Sequence, residues 1–162
     1  MPINRKLLAV TACLALTIPG CGMSSYYRED GGKAMPGAVS PRQEWSISGD
    51  LDNIHQAIDG SISTVALSAP QYAGATITID LGRPCMFNHI SILHGPNEHG
   101  YCRRVAVETS IDGKTFTERH AAPGNRAVTN ISLITPYMAR YIRIRAAVPG
   151  TEPWCVAEIL VE

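Results

Sequence analysis

The chain has 162 residues, 45% of them hydrophobic, with 14 basic and 14 acidic side chains and no formal net charge. That length carries one domain with an adequate core plus short extensions. No basic stripe or block is present to track phosphates, which sets nucleic acid aside as a partner.

At the N-terminus, Arg5 and Lys6 precede the apolar run Leu7 to Ile18. The run is too short to span a bilayer and suits the middle of a secretory signal. Ile18-Pro19-Gly20-Cys21 then resembles the lipobox of bacterial lipoproteins, with an apolar residue three before a Cys and a small residue just before it. The resemblance implies that residues 1–20 are a signal and that Cys21 becomes the first mature residue. There it would carry a diacylglycerol thioether and an amide-linked acyl chain, enough alkyl surface to anchor the protein stably to a membrane of the bacterial cell envelope. Gly22 in place of an acidic residue points to the outer membrane. Losing Arg5 and Lys6 leaves 12 basic against 14 acidic residues, near minus two, so membrane attachment must come from the lipid. Residues 21–44 hold many Gly, Ser and Pro and no sustained periodicity, and read as a flexible tether ahead of a folded domain at 45–162.

Within that domain, Ile77, Ile79 and Leu81 alternate with Thr76, Thr78 and Asp80, the period of a strand with one buried face. Gly82, Arg83 and Pro84 interrupt the pattern, and Ile90 and Ile92 resume it, so Thr76–Leu93 reads as two neighbouring antiparallel strands. Val105, Val107 and Thr109 alternate next, and Asp112-Gly113 supplies a tight hairpin turn before Phe116. Ile131 and Leu133, then Ile142 and Ile144, then Ile159 and Val161 mark further short strands. Only Asn53 to Ile58 suggests a helical turn. The pattern predicts an all-β, antiparallel sandwich of the jelly-roll kind.

Alternating strands send their connections to two opposite ends. Calling the end at Arg83 to Met86 the back, the front collects the 59–75 segment and the loops at 94–103, 123–130 and 147–155. Cys13 leaves with the signal and Cys21 takes lipid, so Cys85, Cys102 and Cys155 remain in an oxidising compartment. Cys102 and Cys155 share the front, and since bridging requires α-carbons within roughly 7 Å, a Cys102–Cys155 disulfide is expected with Cys85 unpaired. Pairings of Cys85 with either partner are the alternatives. The front loop from His94 to Arg104 also mixes donors, acceptors and an aromatic ring, the set that a sugar uses for its hydroxyls and its apolar face. Trp154 lies in the facing loop; the plainer reading has it packing beneath that loop.

The order Ala57-Ile58-Asp59-Gly60 with Ser63-Thr64, then ITIDLG, FNHISIL, RRVAVETSIDGKTFTE, ARYIRIRA and AEILVE resembles the discoidin or coagulation factor 5/8 type C domain, a galactose-binding-like β-sandwich. The resemblance runs over residues 45 to 162. In sugar-binding members the front loops carry the ligand, which implies His94, Asn97, Glu98, Tyr101, Arg103 and Trp154 as ligand-binding residues here. A structural calcium is also implied, held by Asp59, Ser61, Thr64 and the carbonyls between them, with Glu158. Ser61 stands where the family commonly has a second acidic or amide residue, and Ala66 where it usually has Trp.

A zinc reading of His94, His99 and Cys102 matches no recognisable ligand spacing. No GxSxG, HExxH or Gly-rich phosphate loop is present, and nothing fixes the separation of a pair such as Glu98 and Glu158, so an enzyme is not expected. The expected role is a non-catalytic, lipid-anchored envelope module binding a glycan. The alternative is an assembly lipoprotein that docks a protein partner, since Tyr, Trp and Arg also anchor protein interfaces.

Overall fold

The computed structural model describes residues 37–68, 72–97 and 99–162, so the signal, Cys21, the tether as far as residue 36, and Glu98 lie outside the described residues. Two short 3-10 turns, Arg42–Glu44 and Ile54–Ile58, accompany eight strands: β1 (Ser46–Gly49), β2 (Ala66–Ser68), β3 (Thr76–Leu93), β4 (Arg104–Ser110), β5 (Thr117–Pro123), β6 (Val128–Ala146), β7 (Trp154–Val156) and β8 (Glu158–Val161). Every strand pair is antiparallel.

Thr76–Leu93 is one bent strand rather than two neighbours. Its halves do not pair with each other, because β6 makes the same bend and follows β3 throughout, from Thr76 opposite Arg145 to Leu93 opposite Val128. Register shifts at Asp80/Cys85 and Phe87/His89 mark the bend. There Pro84 has no N–H for a ladder, and Gly82 takes φ +77 with no room for a Cβ, which would sit 2.9 Å from the Glu44 carbonyl oxygen. The first half of β3 pairs with β1, and the facing half of β6 pairs with β4, which carries β5; the second half of β3 pairs with β8. The bent ribbon thus carries chain between the two layers of a sandwich, and the predicted alternation fills the space between them. Ile77, Ile79, Leu81, Ile90, Ile92, Ile142, Ile144 and Ile159 are all fully buried.

The expected hairpin joins β4 to β5. The Asp112 carboxylate accepts hydrogen bonds from the Thr115 and Lys114 amides and the Ser110 hydroxyl, which hold its pKa down at about 2. Gly113 supplies φ +72. The chain is already packed at Gly37, ahead of the start expected at residue 45. The Gly37 carbonyl accepts the Met86 amide, Ser40 is buried with its hydroxyl on the Leu81 carbonyl, and Val39 lies on the core.

Ile144 sits at the middle of the larger layer, opposite Ile77 on one side and Val107 on the other. Ile144→Ala should lower the unfolding free energy by about 2–5 kcal/mol. Urea unfolding followed by tryptophan fluorescence checks this, and a cost near zero would remove Ile144 from the core.

Candidate functional site

The ends of β3 and β6 away from the bend, with the loops that join the other strands, form the front end. Backbone hydrogen bonds tie these loops together: His94 N–H to Ala127, Cys155 N–H to Gly100, Gly124 N–H to Arg103 and Ala147 N–H to Arg104. Gly100 is buried at the closest of these approaches. A Cβ there would meet the Cys155 Sγ at 2.2 Å, so the loop can lie against β7 only with glycine at this position.

The polar part of the face comes from one loop. Arg103 is exposed and its guanidinium carbon stands 3.9 Å from the centre of the half-buried Tyr101 ring. It makes no ion pair among the described residues, so its donor fork is open to solvent on the side away from the ring. Asn97 and His99 are exposed on the same loop, with the Asn97 Oδ1 accepting the His99 amide at 3.2 Å. Beside them opens a cleft of about 490 Å³ lined by Ile62, Ser63, Leu93, Gly95, Pro96, Ala127 and Val128. Its walls are mainly apolar. Ile62 is 62% exposed at its rim.

His94 and Trp154 are not on this face. His94 continues the inward alternation of Ile90 and Ile92 one step past β3 and is fully buried. Its Nδ1 donates to the Cys155 carbonyl at 2.7 Å, and its Nε2 accepts from the Thr129 hydroxyl at 2.9 Å. Both ring nitrogens are occupied, and burial holds the ring's pKa below the usual imidazole value, only partly offset by the Cys155 bond. His94 is therefore a brace beneath the loop, 6.2 Å from the Tyr101 ring centre. Trp154 is fully buried within β7, which pairs with β2, so it offers no face for stacking on a ligand. Of the six expected ligand residues, the structure brings Asn97, Tyr101 and Arg103 together on the surface and puts His94 and Trp154 beneath it. Glu98 lies outside the described residues.

The expected Cys102–Cys155 disulfide is not formed; both residues are free thiols, as is Cys85. Both cysteines lie at the front end, but their side chains turn to different local carbonyls, Cys102 to Arg104 and Cys155 to Pro153. Burial raises both thiol pKa values, so neither is an activated nucleophile.

The expected calcium set is also assembled differently. The Asp59 carboxylate turns back into its own loop, taking the Ser61 amide at 2.8 Å and the Thr64 hydroxyl at 2.7 Å. Those bonds, the Thr64 one foremost, lower its pKa. The buried Glu158 carboxylate accepts the Gly60 amide at 2.8 Å through Oε2 and the Arg42 guanidinium through Oε1. Calcium takes about six to eight oxygen ligands with free lone pairs aimed inward. Here the carboxylate oxygens are engaged by internal donors, one of them a guanidinium, so the residues do not fit the ion. Among the described residues no group of three or more His, Cys, Asp or Glu is placed to hold a metal.

Ile62, Pro96 and Val128 were not singled out from the sequence. The available signal was Ile62 itself, a large apolar residue inside the polar loop Ser61-Ile62-Ser63-Thr64.

The fold is a sandwich with one end built as a loop face, which carries a cleft and a guanidinium that makes no ion pair among the described residues. The chain belongs to the F5/8 type C domain family, which matches residues 38–159, and as such it is non-catalytic. No curated protein sequence matches it. Among solved structures it is similar to the family 32 CBM of Clostridium perfringens NanJ in complex with galactose, at 20% identity and TM-score 0.66, covering 77% of this chain and 97% of that one. It is also similar to CpGH89CBM32-5 of Clostridium perfringens in complex with GalNAc-β-1,3-galactose, at 16% identity and TM-score 0.67, covering 75% and 96%. A third is the CBM32 of AlyQ in complex with 4,5-unsaturated mannuronic acid, at 20% identity and TM-score 0.58, covering 72% and 93%.

The buried neutral His94 makes stability depend on pH. It contributes fully above the unfolded value of 6.5. As pH falls through that value the unfolded chain takes up a proton that the folded ring resists, so stability declines until the folded ring also titrates. Denaturant midpoints should therefore fall as pH is lowered from neutrality to about 5. In His94→Gln the slope should be shallower, and equal slopes in the two proteins would disprove the brace.

Proposed function

We propose that this protein is a non-catalytic carbohydrate-binding module that takes its ligand on the front loops, in the cleft between Ile62, Pro96 and Val128 and against the Tyr101–Arg103 pair. The observation that carries the reading is that pair. The guanidinium has no carboxylate partner among the described residues and is held by an aromatic ring, and the loop that carries the pair also supplies Gly95 and Pro96 to an apolar recess. Its N–H groups suit sugar hydroxyls or a uronate carboxylate, and the recess suits the apolar face of a pyranose. Family membership and the neighbours crystallised with galactose, GalNAc-galactose and unsaturated mannuronic acid support the same class of ligand.

Calorimetric titration of galactose, N-acetylgalactosamine and an unsaturated uronic acid, followed by a broad glycan array, tests the proposal. Arg103→Ala and Tyr101→Ala should each weaken binding by about tenfold or more, a loss of about 1.4 kcal/mol, with unchanged thermal midpoints. Failure of the folded protein to bind any glycan would leave a protein-docking role, for which the exposed Ile62 is also suited.

The lipobox-like Ile18-Pro19-Gly20-Cys21 supports anchoring of the module to a bacterial envelope membrane through lipidated Cys21. Expressed in a bacterium, the protein should fractionate with membranes and partition into detergent. Cys21→Ser should move it to the soluble fraction, and a soluble parent protein would refute the anchor.

A further inference from the structure

We infer that Arg42 serves as a built-in cation in this domain: it holds the 59–64 loop against the C-terminal strand through Glu158 and makes the fold indifferent to calcium. The guanidinium bonds the Glu158 Oε1 with one nitrogen and the Ile159 carbonyl with another at 3.3 Å. The other Glu158 oxygen accepts the Gly60 amide. One buried carboxylate and one guanidinium therefore fasten three segments distant in sequence: the turn before β1, the 59–64 loop and β8.

The fastening is braced from behind. Trp45 lies under the guanidinium, its ring centre 5.4 Å from the guanidinium carbon. The Trp45 indole N–H is held in turn by the Ser40 carbonyl and hydroxyl, each at 3.0 Å. Arg42 also acts on Asp59, whose ionised form its charge favours. The Asp59 carboxylate itself is held by the Thr64 hydroxyl and the Ser61 amide, while the guanidinium bonds Glu158. The Ser61 carbonyl is likewise engaged, by the Thr64 hydroxyl at 3.1 Å. A guanidinium suits this position because it donates in a plane to several oxygens at once, stays charged at any accessible pH and is weakly hydrated when partly buried.

The loop so fixed carries Ile62 and Ser63, which wall the front cleft. Arg42 is therefore a positioning residue for that wall, although it lines no part of the cleft.

Thermal unfolding with millimolar calcium and with chelator tests the inference, without reference to any glycan. The midpoint of the parent protein should be the same in both conditions. Arg42→Ala and Glu158→Gln should each lower it by several degrees, and the double variant should fall no further than the worse single one, as two halves of one interaction do. Should Arg42→Ala fail to fold, Arg42→Lys replaces it in the cycle; it keeps the charge, loses the fork, and should unfold below the parent while remaining calcium-indifferent. A parent midpoint that rises with calcium and falls with chelator, or additive losses in the double variant, would overturn the inference.

Discussion

The pairing of β3 with β6 is the constraint from which the rest of this domain follows. Two long strands stay hydrogen-bonded along nearly their whole length while both turn through the back end of the sandwich, and the turn is absorbed by two register shifts. A flat ladder of that length would leave one face of each half without apolar cover. Bending it sets the buried faces of the two halves toward one core, where the isoleucines of β3 and β6 meet. Other strands join this ribbon at its edges, β1 and β4 on one layer and β8 on the other. The ends of both layers come together at the front for the same reason.

Gathering loops at one end leaves many backbone groups without ladder partners, and buried ones must be paired elsewhere. The front end does so by bonding loop to loop and by placing a histidine beneath them. His94 reaches the Cys155 carbonyl on one side and Thr129 on the other, and the Thr129 hydroxyl also takes the Asn125 amide at 3.0 Å. A short chain of hydrogen bonds thereby fastens the loop that begins at His94 and the loop that holds Asn125 to β7 and β6. The surface above it, with Tyr101, Arg103 and the cleft, is then presented by a stiff base, which lowers the ordering cost of holding a small ligand.

Charge is arranged with similar economy. Arg140 makes a two-bond contact with Asp80, and Arg145 reaches both Glu108 and Glu118. Arg143 stacks on Phe116 with its guanidinium carbon 3.5 Å from the ring centre. At the front end Arg103 is stacked on Tyr101 without a carboxylate among the described residues.

Much of this was legible in the chain itself. Period-two alternation marked β4 and the halves of β3 and β6, although the halves of β6 read as two short strands and β5 went unmarked; Asp112-Gly113 marked its hairpin, and the gap at Gly82 to Pro84 marked the back turn, because backbone pleating and the loss of a donor at proline act locally. The same alternation also carried an unused message: His94 follows Ile90 and Ile92 at the inward position, so its burial was written in its phase. What tertiary structure alone decided were matters of direction and distance. Whether the halves of Thr76–Leu93 pair with each other depends on β6 taking the same bend. Cys102 and Cys155 share an end but point to separate carbonyls. Trp154 is enclosed because its strand pairs with β2. Glu158 meets Arg42 across 116 positions of sequence, so the sequence disclosed two carboxylates suited to a cation, and only packing brought a guanidinium to one of them.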